Sequence, residues 1–182
     1  MVEFGVHDEN SAPAEITPEL EQLRSNFGFI PNIYGVMAES PQAFRAYRAA
    51  QEQFLASSLS RQEQHVVWLA VSRQNSCGYC LAVHSAVAQG AGVDSAVIDA
   101  IRQDKPIGDG RLEAVRRFAR TVVERQGWVQ QEEIAEFLAA GFERRQMLDI
   151  VTGVAMKTLS NYINHLADTP LDDAFAAYAW SA

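Results

Sequence analysis

The sequence predicts an all-α fold, and three observations carry that expectation. Apolar residues recur at helical intervals along almost the whole chain. Glycines and prolines fall between the periodic stretches, where helices end and begin. No stretch keeps the two-residue alternation of a strand.

Taken in order, residues 1–16 are polar and lack a pattern, which reads as a loose N-terminal arm ahead of one helical domain over 17–182. Pro18 suits a first turn and predicts a helix reaching Phe27. Gly28 and Pro31 break the chain, Asn32 to Ala38 forms a short helix, and Pro41 opens another. That helix lines up Phe44, Tyr47, Phe54 and Leu55 on one stripe. Ser60-Arg61-Gln62-Glu63 fits a capping box, in which a serine and a glutamate satisfy each other's backbone amides. The helix behind it carries Val66, Val67, Leu69, Ala70 and Val71 into the core and halts near Asn75-Ser76. The next runs to about Gln89 and stops at Gly90 and Gly92, and a short one ends at Ile101. After a loop from Lys105 to Gly110, Leu112, Val115, Phe118, Val122 and Val123 mark an amphipathic helix ending at Gly127. Glu132 to Ala140 is another. The last is long, Arg144 to Leu166, with Met147, Leu148, Val151, Val154, Ala155 and Leu159 periodic and Pro170 beyond its end. Trp68, Trp128 and Trp180 read as packing residues.

Composition narrows the function. The 182 residues, 48% hydrophobic and 21% charged, are those of a soluble globular domain. A formal net charge of −8 argues against nucleic acid or an anionic membrane as partner. The N-terminus has no apolar core of a signal peptide, and no run approaches a membrane span, so the expected location is cytoplasmic.

The two cysteines of the chain stand together, in Cys77-Gly-Tyr-Cys80-Leu-Ala-Val-His84. In a reducing compartment such a pair reads as redox or metal chemistry. Ser76 is the expected N-cap, which places Cys77 in the first helical position. The helix dipole then favours Cys77 as the thiolate, whereas His84, one turn after Cys80, favours Cys80. The residues leave that choice open. They also leave open a buried structural pair, a static disulfide, and a zinc site using Cys77, Cys80 and His84 with His65 or His165 as fourth ligand.

With these residues in view, the chain resembles a known family. Glu63-Gln64-His65-Val66-Val67-Trp68-Leu69-Ala70-Val71-Ser72, then Asn75-Ser76-Cys77-Gly78-Tyr79-Cys80, then His84, resembles the AhpD-like alkylhydroperoxidase branch of the carboxymuconolactone decarboxylase family. Phe27-Gly28-Phe29-Ile30-Pro31-Asn32 and Asn161-Tyr162-Ile163-Asn164-His165 resemble its peroxidase-related members. The likeness runs from about residue 25 to 173. It implies a helical bundle that assembles into homo-oligomers, trimers or hexamers, and antioxidant peroxidase or disulfide-exchange chemistry that needs no haem, flavin or metal. It implies that Cys80 is the peroxidatic thiol, Cys77 the resolving thiol and His84 part of a proton relay. The oxidant would be an organic hydroperoxide or hydrogen peroxide, and the reductant a dithiol such as a lipoyl group or a thioredoxin-like protein.

One position departs from that pattern. The family relay usually includes a glutamate twelve residues before the first cysteine, where this chain has His65. Glu63 lies about 200° away around the helix and has its own task in the capping box. His65 is therefore the candidate for the relay, since histidine exchanges protons near neutral pH. Asn161, Asn164 and His165 share a helix face that can line a pocket. The departure also opens an alternative, a thiol-disulfide reductase or an adaptor that regenerates another peroxidase.

Overall fold

A computed structural model describes residues 3–181, and among them every regular element is helical. The helices are α1 (Thr17–Phe27), α2 (Asn32–Met37), α3 (Pro41–Leu55), α4 (Arg61–Gln74), α5 (Gly78–Gly90), α6 (Ser95–Arg102), α7 (Gly110–Glu124), α8 (Gln131–Ala139) and α9 (Arg144–Ala167). A short 3-10 helix, Asp173–Tyr178, follows.

The centre is α4. Residues 63–72 are buried on every side of it; Val66 to Val71 are apolar all round, as befits a central helix, with Glu63, Gln64, His65 and Ser72 as its buried polar groups. α7, α5, α9 and α6 pack around it, and α3 lies along α9. The expected capping box starts α4, with Ser60 Oγ accepting from the Glu63 N–H and Glu63 returning the bond to the Ser60 N–H. Glu63 also pairs with Arg111 of α7 at 2.7 Å, so both carboxylate oxygens are structural.

Residues 1–2 of the expected arm lie outside the described residues. The rest of the arm has no helix before Thr17 but is tied down. The His7 N–H donates to the Gly35 carbonyl, Glu9 pairs with Arg24, and Ile16 is fully buried. No helix of the described residues is long and apolar enough to cross a membrane.

Two packing expectations fail. Trp128 is 79% exposed rather than packed. More important, α9 is turned over. Leu148, Val151, Leu159 and Leu166 face outward, whereas Lys157, Ser160, Asn161 and Asn164 are buried. An apolar stripe ordinarily faces the core, so its reversal marks a polar interior that α9 serves. α9 comes close to α3 at Gly153, where a Cβ would lie 2.5 Å from the Phe54 ring.

Candidate active site

The two cysteines open α5, but in a register one residue off the expected one. Ser76 does not cap the helix. It adopts a left-handed φ of 53°, and Cys77 takes the N-cap position with an extended backbone. Cys80 then stands in the first turn, third from the cap, so both sulfurs lie at the positive end of the helix. The turn is pinned by Tyr79, whose hydroxyl donates to Asp172 at 2.6 Å and accepts from the Ile33 N–H. Beyond it the C-terminal segment crosses the helix start. A Cβ on Gly78 would lie 2.8 Å from the Trp180 carbonyl oxygen, and the Trp180 ring lies under the Arg73 guanidinium.

Both sulfurs are free thiols and buried, Cys77 at 1% exposure and Cys80 at 2%. The inward face of α9 meets them. Asn164 Nδ2 donates to Cys80 Sγ at 3.2 Å, the Ser160 hydroxyl lies 3.7 Å from the same sulfur, and Asn161 is locked by the Asn75 amide. Lys157 reaches in one turn earlier, and its Nζ hydrogen-bonds His84 Nε2.

These groups settle which thiol ionises. Burial alone raises the Cys80 thiol. The thiol of Cys77, the charge of Lys157 and the Ser160 hydroxyl overcome it and pull the pKa down to about 5. Cys77 moves the other way, raised because it donates to the Cys80 thiolate and is itself buried. At neutral pH the pair is therefore one thiolate and one thiol, with the charge on Cys80. The opposing tendency, the helix dipole favouring Cys77, loses because the Cys77 thiol, the Lys157 charge and the Ser160 hydroxyl all act on Cys80.

The two histidines of the site, His84 and His65, are uncharged. Burial, then the Lys157 charge, pushes His84 well below the ordinary imidazole range. Burial and Arg61 bring His65 to about 4, so it does not titrate near neutral pH as expected from sequence. Trp68 packs against both rings, with centroids 5.4 Å from His65 and 4.9 Å from His84. His65 Nδ1, His84 Nδ1 and Trp68 Nε1 are buried without a hydrogen-bond partner. His165 is exposed on the outer face of α9 and takes no part.

A cavity of about 420 Å³ stands in front of Cys80. Tyr34, Tyr47, Trp68 and Phe29 wall it, and His65, His84, Lys157 and Ser160 line it with the sulfur. Its size and walls suit a small apolar molecule placed against the Cys80 sulfur. No three His, Cys, Asp or Glu side chains of the described residues come together as a metal-holding group. The Lys157 Nζ, hydrogen-bonded to His84 Nε2, occupies the nitrogen that the imidazole would offer to a metal there.

Sequence reasoning found Cys77, Cys80, His84 and His65, and the structure brings all four to this region. It missed Lys157 and Ser160. Their spacing with Asn161 and Asn164 was the available signal: four polar residues at positions 157, 160, 161 and 164, which share one face of the helix.

Comparison with known proteins agrees with this geometry. A sequence model of the Carboxymuconolactone decarboxylase family matches residues 38–121. The fold is similar to the alkylhydroperoxidase AhpD core of an uncharacterised peroxidase-related protein from Ralstonia eutropha JMP134, with TM-score 0.84, 24% identity, and coverage of 94% of this chain and 93% of that one. An uncharacterised peroxidase-related protein from Silicibacter sp. TM1040 gives TM-score 0.81 at 20% identity, covering 96% and 92%. A variant of the debrominase Bmp8 in complex with 2,3,4-tribromopyrrole gives 0.80 at 18%, covering 98% and 96%. No curated protein matches the sequence significantly.

Proposed function

We propose, for a chain that belongs to the carboxymuconolactone decarboxylase family over residues 38–121 and has an AhpD-like fold, that it is a cofactor-independent thiol peroxidase acting on organic hydroperoxides. One observation carries the reading: an ionised Cys80, with a protonated Cys77 as its partner, forms the inner wall of an apolar cavity. A thiolate is the attacking form, and a neighbouring thiol completes the reaction.

In the proposed cycle the Cys80 thiolate attacks the terminal peroxide oxygen. The O–O bond breaks, Cys80 becomes a sulfenic acid, and the alkoxide leaves and takes a proton. Cys77 then attacks the Cys80 sulfur, the disulfide forms and water departs. An external dithiol, a lipoyl group or a thioredoxin-like protein, restores both thiols by exchange. His84 and His65 face the chamber in which these protons move.

The aromatic walls favour a second substrate for the same thiols. A flat aryl bromide, such as the brominated pyrrole of the Bmp8 complex, can pass bromine to Cys80 while the ring carbon gains a proton. Cys77 would then displace bromide and form the disulfide. Exchange with a protein disulfide, the adaptor reading, is less favoured because it leaves the apolar cavity at Cys80 without a substrate. The outward stripe of Leu148, Val151, Leu159, Tyr162 and Leu166 supports assembly into homo-oligomers.

The test is a thiol count. The reduced protein, free of air and reductant, receives one equivalent of cumene hydroperoxide. Both thiols per chain are expected to disappear together, and Cys80→Ser to abolish the reaction. Retention of both thiols in the wild type would refute the reading. Bromide release from a brominated pyrrole, with no response to hydroperoxide, would install the second substrate instead.

A further inference from the structure

We propose that Lys157 is a catalytic acid of this site: it delivers the proton that the departing alkoxide takes when Cys80 attacks a hydroperoxide. The assignment rests on the peroxidase reading above.

An alkoxide is a strong base and leaves slowly unless it is protonated as the O–O bond breaks. The chamber must therefore contain an acid, and its groups can be taken in turn. His65 on α4 and His84 on α5 are neutral imidazoles, which are poor acids. Tyr34 on α2, Tyr47 on α3 and Tyr79 on α5 are phenols whose ionisation burial suppresses further. Arg48 and Arg61, at the margins, are guanidiniums that do not give up protons. Cys77 holds a proton, but that proton leaves with the water formed in the second step. Lys157 is what remains.

Its placement fits the task. Lys157 is 1% exposed, lines the cavity with Cys80, and lies over the Tyr47 ring. It hydrogen-bonds an imidazole nitrogen, and its charge acts on the Cys80 thiolate rather than on a carboxylate. His84 accepts one N–H and so fixes the direction of the others, which makes His84 a positioning residue. The negative charge that Lys157 faces moves during the reaction from sulfur to the leaving oxygen. The same cation that holds the thiolate thus meets the alkoxide as it forms.

The protons balance. One thiolate, one thiol, one ammonium and ROOH become a disulfide, ROH, water and a neutral amine. Reduction by a dithiol forms the external disulfide, restores the Cys80 thiolate and the Cys77 thiol, and releases one proton, which returns to Lys157.

The test separates charge from proton. Lys157→Met removes both, and Lys157→Arg keeps the charge without the transferable proton. Each is reacted, above the pH at which its Cys80 ionises, with cumene hydroperoxide and with a peracid, whose carboxylate leaving group needs no proton. Both variants are expected to lose about a hundredfold or more with cumene hydroperoxide and only a few-fold with the peracid. Lys157→Arg should also retain the wild-type thiolate titration, which checks that the site is intact. In the wild type, rates across hydroperoxides of increasing leaving-group basicity should be nearly flat, a measurement that needs no variant. Wild-type rates for Lys157→Arg, equal losses with both oxidants, or a steep wild-type dependence on leaving group would overturn the assignment. A wild type inert to both oxidants would overturn the peroxidase reading itself.

Discussion

Asn164→Leu tests the electrostatics of Cys80 with little change of volume. The Asn164 amide donates to the Cys80 sulfur at 3.2 Å, in a site where the asparagine is 4% exposed. A hydrogen bond to a charged acceptor is worth about 1.5–3 kcal/mol. At about 1.4 kcal/mol per pKa unit, losing it should raise the Cys80 pKa by roughly 1–2 units. The sign follows because the amide stabilises the thiolate and not the thiol. The wild-type rate of peroxide-driven thiol loss should hold at neutral pH and fall as pH drops through about 5. In the variant the same fall should begin nearer pH 6 or 7, by the shift just given, with the rate at higher pH retained. Ultraviolet absorbance of the thiolate, followed against pH, measures the shift directly. An unchanged titration would refute the argument, since it would mean that the amide contributes nothing to the charge on sulfur.

Two further outcomes follow from α9. Gly153→Ala places a methyl group 2.5 Å from the Phe54 ring, so the helices must part or the ring must move. It should destabilise the protein by about 1–3 kcal/mol, seen as a lower midpoint in urea, and Phe54→Leu should recover part of it. Charges on the outward stripe, as in Leu159→Glu with Leu166→Glu, should shift the protein to a smaller species in light scattering without altering the Cys80 titration. A wild type that is already monomeric would remove the support for assembly through this face.

Much of the helical order can be read in the chain because its signals are local. Pro18 and Pro41 begin helices, the Ser60–Glu63 box begins α4, and glycines at 28, 92, 127 and 141 take left-handed conformations between helices. The Cys-x-x-Cys and His84 are legible for the same reason. What failed is non-local. The reversal of α9 depends on what lies beneath it: spacing puts Lys157, Ser160, Asn161 and Asn164 on one face, but only the cysteine pair they meet makes that face a buried one. The register of Cys77 turned on Ser76 entering the left-handed region, which a serine seldom does. The closing 3-10 helix is too short to show a period.

The buried cation has a consequence for redox poise, which provides the last prediction. In the reduced protein Lys157 faces the Cys80 thiolate; in the disulfide that charge is gone, and an ammonium re-formed there from the neutral amine by solvent keeps only an imidazole and an aromatic face. A buried charge without its counter-charge is costly. The reduced form is therefore stabilised relative to the disulfide, as in any dithiol with a depressed thiol pKa, and the disulfide becomes a stronger oxidant. Each unit by which the Cys80 pKa lies below the ambient pH raises the potential by ~30 mV for the two-electron couple. Lys157→Met should raise that pKa and lower the potential accordingly, while Lys157→Arg should hold both. Equilibration against glutathione at neutral pH measures it. Equal potentials in the wild type and Lys157→Met would show that the charge is compensated in both redox states, and the account of Lys157 as the counter-ion of Cys80 would fall.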